Sequence, residues 1–251
     1  MVIIKTEQEI EMMKKAGELL ATVHKEIAKM IKPGISTYEV DQFVEQFLKE
    51  HGAIPEQKGY HGYPYATCAS INDEICHGFP RKTPLEDGDI VTIDMVVNLG
   101  GWLADSAWSY PVGNISVEAK KLLDVTKKAL YLGIEKAVIG NRIGDISYSI
   151  QSYVESEGFS VVRDFVGHGI GKNMHEDPQV PHFGTPGRGL RLMEGMVLTI
   201  EPMINIGKYA CTIDDNQWTA RTIDGKLSAQ YEHTIAITKE GPLILTDQEQ
   251  D

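Results

Sequence analysis

Apolar residues recur every three or four positions in four stretches of this chain, and each stretch predicts an amphipathic helix. The first two helices begin at capping boxes, whose first residues are Thr6 and Ser36. A third pattern opens at Ser116, and Asp145 is expected to cap a fourth helix. The predicted helices therefore form two pairs, one at the start of the chain and one in its middle.

Strand patterns occupy much of the remaining sequence. Between Asp89 and Asp105, a β-branched run reaches a turn containing Gly100 and Gly101 and then returns, which predicts a β-hairpin. Residues 53–88 are rich in turn formers and aromatic side chains, which is typical of a segment that covers a core or lines a pocket. A glycine-rich loop is predicted at 166–172, and strands are predicted at 160–162, 196–206, 210–213, 218–223 and 232–238.

One short segment occurs twice. Residues 88–94 read GDIVTID and residues 195–201 read GMVLTIE, and each copy follows a two-helix pattern. This repetition predicts one α+β domain over residues 1–251, built from two halves, about 1–113 and 114–251, related by a pseudo-two-fold axis. Asp94 and Glu201 would then face each other where the halves meet, which is where pockets tend to form.

Composition narrows the class of protein. The net charge of -12 argues against broad binding to nucleic acids or anionic membranes. The cysteines Cys68, Cys76 and Cys211 are odd in number and contain no CxxC pair, so we expect a reducing, cytoplasmic environment rather than a disulfide framework. The sequence has neither a signal-peptide pattern nor an apolar run near the roughly 18 residues of a membrane span.

Five residues are candidates for metal ligation. Asp94 and Asp105 lie in an otherwise apolar hairpin, where an unpaired carboxylate is costly. His168 has a glycine on each side, Glu201 ends the second copy of the repeat, and Glu232 precedes a predicted strand. Four carboxylates and an imidazole suit divalent first-row ions, one or two of them, which would lower the pKa of a bound water.

Each of these residues also has a common structural role. A histidine in a glycine-rich loop is more often structural, and acids near strand ends are usually solvated or capping. Two other chemistries fit the same stretches less well. The glycines of Gly167-His168-Gly169 resemble a phosphate loop but lack a following lysine and a complete fingerprint. Cys68 or Cys76 with His77 is a conceivable nucleophile pair.

The chain resembles the type I methionine aminopeptidases, which have the creatinase-like pita-bread fold. The resemblance covers essentially the whole sequence and rests on GYHGYP (59–64), INDEICHG (71–78), TIDM (92–95), AD (104–105), GHGIG (167–171), HEDPQV (175–180), TIEPM (199–203) and SAQYEHT (228–234). It implies two halves with a central antiparallel sheet covered by helices. It also implies that the five candidate residues bind two metal ions, with Co, Mn, Fe or Zn all acceptable.

The resemblance also implies catalytic and substrate-binding residues. His77 would contact the substrate or support the departing amine, His175 would contact the scissile carbonyl oxygen, and Glu201 would take the proton of the attacking water. The pocket for the methionine side chain, together with these contacts, would comprise Tyr60, Tyr63, Cys68, His77, Met174, His175 and Trp218. Met174 stands where many family members have phenylalanine, and Ser106 stands where threonine is common.

The implied function is removal of the initiator methionine from nascent polypeptides with a small second residue, by a monomeric cytoplasmic enzyme that associates transiently with ribosomes. A related X-Pro dipeptidase and a non-catalytic peptide-binding scaffold are the alternatives. The presence of all five ligand residues disfavours the scaffold, and the absence of room for an additional N-terminal domain disfavours the dipeptidase.

Overall fold

A computed structural model describes residues 1–248 of the chain, so the last three residues of the predicted 1–251 domain lie outside the described residues. The helices are α1 (Glu7–Met30), α2 (Thr37–Glu50), α3 (Val117–Ile134) and α4 (Ile143–Ser156), with a short 3-10 helix at Tyr60–Gly62. Over residues 1–248, no helix combines the length and the apolar character needed to cross a membrane.

The predicted helix starts are largely confirmed. Thr6 and Ser36 each accept a hydrogen bond from the backbone three residues on, and the glutamate there completes a capping box. Ser116 caps α3 in the same way without a reciprocal partner. The prediction for α4 was wrong by three residues: Arg142 is the N-cap, and Asp145 lies in the first turn, where its carboxylate accepts the Arg142 N–H at 2.7 Å.

The predicted hairpin consists of two ten-residue strands, β4 (Ile90–Leu99) and β5 (Trp102–Pro111). Gly100 and Gly101 have φ values of 63° and 85°, so this tight turn uses a conformation that suits glycine. Three short strands precede it in the chain: β1 (Ile54–Pro55), β2 (Cys68–Ile71) and β3 (Glu74–Cys76). Strands β1 and β2 pair with β4, which places the 53–88 segment beside the hairpin.

The second half contains more strands than the sequence predicts. They are β6 (Ser160–Val161), β7 (Gly167–Gly169), β8 (Glu176–Val180), β9 (Val197–Ile200), β10 (Met203–Asn205), β11 (Cys211–Ile213), β12 (Ala220–Thr222), β13 (Ser228–Gln230), β14 (His233–Thr238) and β15 (Gly241–Ile244). Part of the predicted glycine-rich loop is therefore strand β7. The predicted strand at 196–206 is two strands, because Glu201-Pro202 interrupts it.

The sheets are antiparallel throughout residues 1–248, and helices cover them. The longest sheet of the second half has the order β15-β14-β9-β7-β8. One apolar core draws its buried residues from positions 16–112, and another draws them from positions 119–237 together with Ile90. Trp108 packs against both cores. The two cores therefore come together at β5, the strand that contains Trp108, and the division of the domain into halves at about residue 113 stays a prediction.

Candidate metal centre and substrate pocket

A cavity of about 190 Å³ lies at the meeting of the two halves. All the residues to which the sequence assigns metal-binding, catalytic or substrate-binding roles line it: Tyr60, Tyr63, Cys68, His77, Asp94, Asp105, His168, Met174, His175, Glu201, Trp218 and Glu232. Their roles remain predictions, but the fold brings them to one place.

The hairpin contributes two carboxylates to the same side of its sheet. Asp94 lies opposite Ala107, and Asp105 lies two residues from Ala107 on the same strand. Because alternate residues of a strand share a face, Asp94 and Asp105 project from one face of the hairpin. A register slip of one residue would place them on opposite faces.

The second half supplies an imidazole and two further carboxylates. His168 is the central residue of β7, Glu201 follows β9 directly, and Glu232 lies between β13 and β14. His168 Nε2 is 3.7 Å from Asp105 Oδ2 and 3.5 Å from Glu201 Oε1. Ligand atoms of Asp105, His168 and Glu232 all lie within 4.8 Å of one another. The residues from both halves therefore form one compact cluster.

The electrostatics of this cluster suit a bound cation. Burial raises the pKa of Asp94, Asp105, Glu201 and Glu232, and repulsion from neighbouring carboxylates adds to the effect at the last three. Asp105 Oδ1 and Glu232 Oε1 are buried without a hydrogen-bond partner among the described residues. Divalent ions would satisfy these oxygens and offset the repulsion, so the residues present fit a metal centre.

Two threonines hold the ligand residues in place. Thr199 Oγ1 donates to Glu201 Oε1 at 2.7 Å and accepts the backbone N–H of His168 at 3.0 Å. Thr234 Oγ1 accepts the backbone N–H of Asp105 at 2.9 Å and donates to the Asp105 carbonyl oxygen at 2.8 Å. Thr234 thereby links the two halves directly at a ligand residue. Neither threonine is among the residues predicted from the sequence to act at the site.

Two further histidines, His77 and His175, line the same cavity. His77 has a φ of 56°, a conformation that is uncommon outside glycine and that is often found at functional sites. Burial lowers the pKa of His77 to about 4, so the ring is neutral at pH 7. The ring of His175 lies 4.4 Å from that of His168, and its Nδ1 is 2.9 Å from the Tyr60 hydroxyl.

An aromatic and sulfur-containing wall completes the cavity. Trp218 meets Tyr63 edge to face with ring centroids 5.0 Å apart. The Tyr63 hydroxyl lies 3.0 Å from the carbonyl oxygens of Thr67 and Gly78, so the ring cannot easily turn away. Cys68 and Met174 are buried nearby along the same lining. A slot of this kind suits an apolar thioether side chain.

Other residues line the cavity without having been predicted from the sequence. They are Gln57, Cys76 as a wall residue, Val96, Phe165, Val166, Met203 and Gln230. For Gln230 a signal existed, because it precedes Glu232 by two positions in a strand-like pattern. Gln57 had none: it accepts the Val96 N–H at 2.5 Å and donates to the Asp94 carbonyl at 3.1 Å, contacts between residues far apart in sequence.

The nucleophilic-thiol alternative fits this environment poorly. Burial raises the pKa of the Cys68 and Cys76 thiols, and the nearby Asp94 carboxylate raises both further. A catalytic cysteine needs a lowered pKa, so that thiolate is available near neutrality. The surrounding carboxylates favour the opposite outcome.

Comparison with known proteins places the chain in a family. The model of metallopeptidase family M24 matches residues 11–239. The chain belongs to metallopeptidase family M24. It is 54% identical over 247 residues to the methionine aminopeptidase 1 of Bacillus subtilis (strain 168), covering 98% of this chain and 99% of that protein.

Solved structures give the same result for the fold. A methionine aminopeptidase from Rickettsia prowazekii superimposes with a TM-score of 0.97 at 44% identity, covering 98% of this chain and 100% of that one. A prolidase from Pyrococcus horikoshii OT3 gives a TM-score of 0.80 at 26% identity, covering 99% of this chain but 65% of that one. The predicted pita-bread fold and the resemblance to methionine aminopeptidases are confirmed. Membership of an M24 metallopeptidase family implies divalent metal ions.

Proposed function

We propose that this chain is a metal-dependent aminopeptidase that removes the initiator methionine from nascent polypeptides whose second residue is small. One observation carries the proposal. The cavity joins a cluster of four carboxylates and His168 to an apolar wall that contains Tyr63, Cys68 and Trp218. Such a site can hold a methionine side chain against one wall while its peptide bond lies over the carboxylates.

The five ligand residues would hold two divalent ions, chosen among Co, Mn, Fe and Zn by supply as well as affinity. When bound, such ions activate water as a nucleophile near neutral pH and polarise the substrate carbonyl. The hairpin would contribute carboxylates alone, from Asp94 and Asp105, and the second half would contribute His168, Glu201 and Glu232. Two ions held by these residues would therefore have unequal surroundings.

Glu201 would accept the proton of the attacking water. Its carboxylate is buried and accepts a hydrogen bond from Thr199, which fixes its position beside the place where metal and water would bind. Only Oε1 is engaged by Thr199, at 2.7 Å. The same carboxylate can therefore bind metal and still move a proton.

His175 would donate to the scissile carbonyl oxygen. The Tyr60 hydroxyl, 2.9 Å from Nδ1, can donate to that nitrogen and so leave the proton of a neutral ring on Nε2. An N–H donor aimed at that oxygen stabilises the charge that develops on it during attack. His77, whose ring meets the rings of Phe165 and Trp218 edge to face, would also contact the substrate.

Peptide cleavage tests the proposal. We expect hydrolysis of Met-Ala-Ser and none of Ala-Pro-Ala, in protein reconstituted with divalent metal. Glu201→Ala should abolish turnover while the protein stays folded, and Glu11→Ala, on the exposed face of α1, should leave it unchanged. Cleavage of Ala-Pro-Ala alone would favour a hydrolase specific for X-Pro bonds, and normal turnover by metal-replete Glu201→Ala would refute the role given to that residue.

The environment of the enzyme follows from the same proposal. Initiator methionine is removed as chains leave the ribosome, so the site of action is the cytoplasm, with transient ribosome contact by a monomer. Metal analysis of protein purified without added metal would identify the ions and their number.

A further inference from the structure

Lys5 lies in an unusual environment for a lysine. The Lys5 side chain is 2% exposed. It forms an ion pair with Glu176, whose side chain is 4% exposed. The Nζ atom is 2.5 Å from Glu176 Oε2 and 3.1 Å from the Ile3 carbonyl oxygen. Lysine is almost never buried unless it is paired, and removing one partner of a buried pair leaves an uncompensated charge.

Two glycines provide the space that Lys5 occupies. A Cβ atom on Gly171 would lie 2.7 Å from Lys5 Cε and 2.8 Å from Glu176 Oε1. A Cβ atom on Gly195 would lie 2.6 Å from the Lys5 carbonyl oxygen, and the Gly195 carbonyl accepts the Lys5 N–H at 2.8 Å. The backbone and the side chain of Lys5 are therefore both fixed by close packing.

Glu176 connects this buried ion pair to the turn that joins β7 to β8. Its Oε1 accepts the backbone N–H of Asn173 at 3.3 Å, and its backbone pairs with Gly169 next to an irregularity in the strand register. His175 precedes Glu176 directly, and His168 precedes Gly169. The Glu176 carboxylate thus braces the turn whose two ends carry the two histidines 4.4 Å apart.

We propose that Lys5 is a positioning residue for His175, acting through the Glu176 carboxylate. Lys5 does not line the cavity and touches no residue to which catalysis has been assigned. It sets the position of the turn, and the turn sets the distance from His175 to the scissile carbonyl. The inference rests on the proposed aminopeptidase function and extends it to a segment outside the cavity.

Lys5→Met tests the inference, because it keeps the apolar stem and removes the ammonium group. Misplacing a catalytic donor by about 1 Å can cost about 100-fold in rate, so we expect kcat for Met-Ala-Ser to fall about 10- to 100-fold while KM changes less than about threefold. Lys15→Met, on an exposed part of α1, is the matched control and should leave both unchanged. Unchanged kcat in folded Lys5→Met would overturn the inference.

A double-mutant cycle separates positioning from general destabilisation. In a His175→Ala background, measured with enzyme in excess over substrate, Lys5→Met should cause no further loss, because the group it positions is gone. An equal loss in both backgrounds would refute the inference. Metal content should stay at the wild-type level, and a loss of metal would instead assign the effect to His168.

The inference can still be tested if the Lys5→Met variant fails to fold. If Lys5→Met does not fold, the double variant Lys5→Met/Glu176→Gln takes its place in the same double-mutant cycle. It removes both charges of the ion pair and therefore leaves no unpaired charge buried. Failure of the wild-type protein to cleave Met-Ala-Ser would refute the aminopeptidase proposal itself. Cleavage by the wild type, with full kcat in the Lys5 variants, would refute only the role of Lys5.

Discussion

Replacing Glu232 by glutamine should stabilise the metal-free protein, although it removes a residue assigned to the active site. Glu232 is 1% exposed, and its Oε1 has no hydrogen-bond partner among the described residues. Its ligand atom lies within 4.8 Å of that of Asp105. At that separation and an effective dielectric constant of about 20, two carboxylates repel by about 3 kcal/mol.

The gain should depend on pH in a defined direction. Burial, reinforced by Asp105 and Glu201, raises the pKa of Glu232 above its ordinary value of 4.5. A group whose pKa is raised by folding contributes stability that is present below its unfolded pKa and is lost as the pH rises through the folded one. The difference between variant and wild type should therefore be small near pH 4 and should grow towards pH 8.

Thermal and urea unfolding in the presence of a chelator measure the effect. We expect Glu232→Gln to exceed the wild type by about 3 kcal/mol at pH 8, or by about 6–12 °C in Tm for a chain of this size. With added divalent metal at 1,000 times Kd, the wild type should gain about 4 kcal/mol and the order should reverse, because the variant has lost a ligand.

An exposed glutamate serves as the control for this prediction. Glu11→Gln, on the exposed face of α1, should change stability little with or without metal. A metal-free Glu232→Gln that is less stable than the wild type at pH 8 would show that Glu232 makes favourable contacts there. The account of a repulsive cluster that metal relieves would then be wrong.

Three further predictions concern the pocket, a buried histidine and a helix contact. Trp218→Ala removes the ring that packs on Tyr63, so steady-state kinetics should show KM for Met-Ala-Ser raised about tenfold with a smaller change in kcat. An unchanged KM would contradict the assignment of Trp218 to the methionine pocket. Burial lowers the pKa of His24 from 6.5 to about 4, so the stability that the neutral His24 ring contributes is present above pH 6.5 and is lost as the pH falls towards 4. In urea unfolding, the free energy of unfolding of the wild type should exceed that of His24→Gln by about 3 kcal/mol less at pH 4 than at pH 6.5. A difference that does not change with pH would refute this prediction. Gly17→Ala should destabilise by about 1–3 kcal/mol despite the better helix propensity of alanine, because the new Cβ would lie 2.0 Å from the Leu245 carbonyl oxygen, and a raised Tm would show that this contact yields.

Local chemistry made the elements predictable. The starts of α1 and α2 follow from side chains that satisfy backbone donors three residues away. The β4–β5 hairpin follows from β-branched residues around a glycine pair that accepts positive φ. Each of these effects acts within a few residues, so the sequence contains all the information. The boundaries of β7 and the break at Glu201-Pro202 were less predictable, because they depend on pairing with distant strands.

The same distinction between local and long-range effects applies to the residues of the site. The sequence alone determined which residue types could bind metal, through carboxylates in apolar strands and through a segment that occurs twice. Only the tertiary structure decided that Asp94 and Asp105 share a face, since this depends on the register of β4 against β5. It also decided that Thr234 supports Asp105 and that Lys5 reaches Glu176, because contacts between residues so far apart require the folded chain to close the distance.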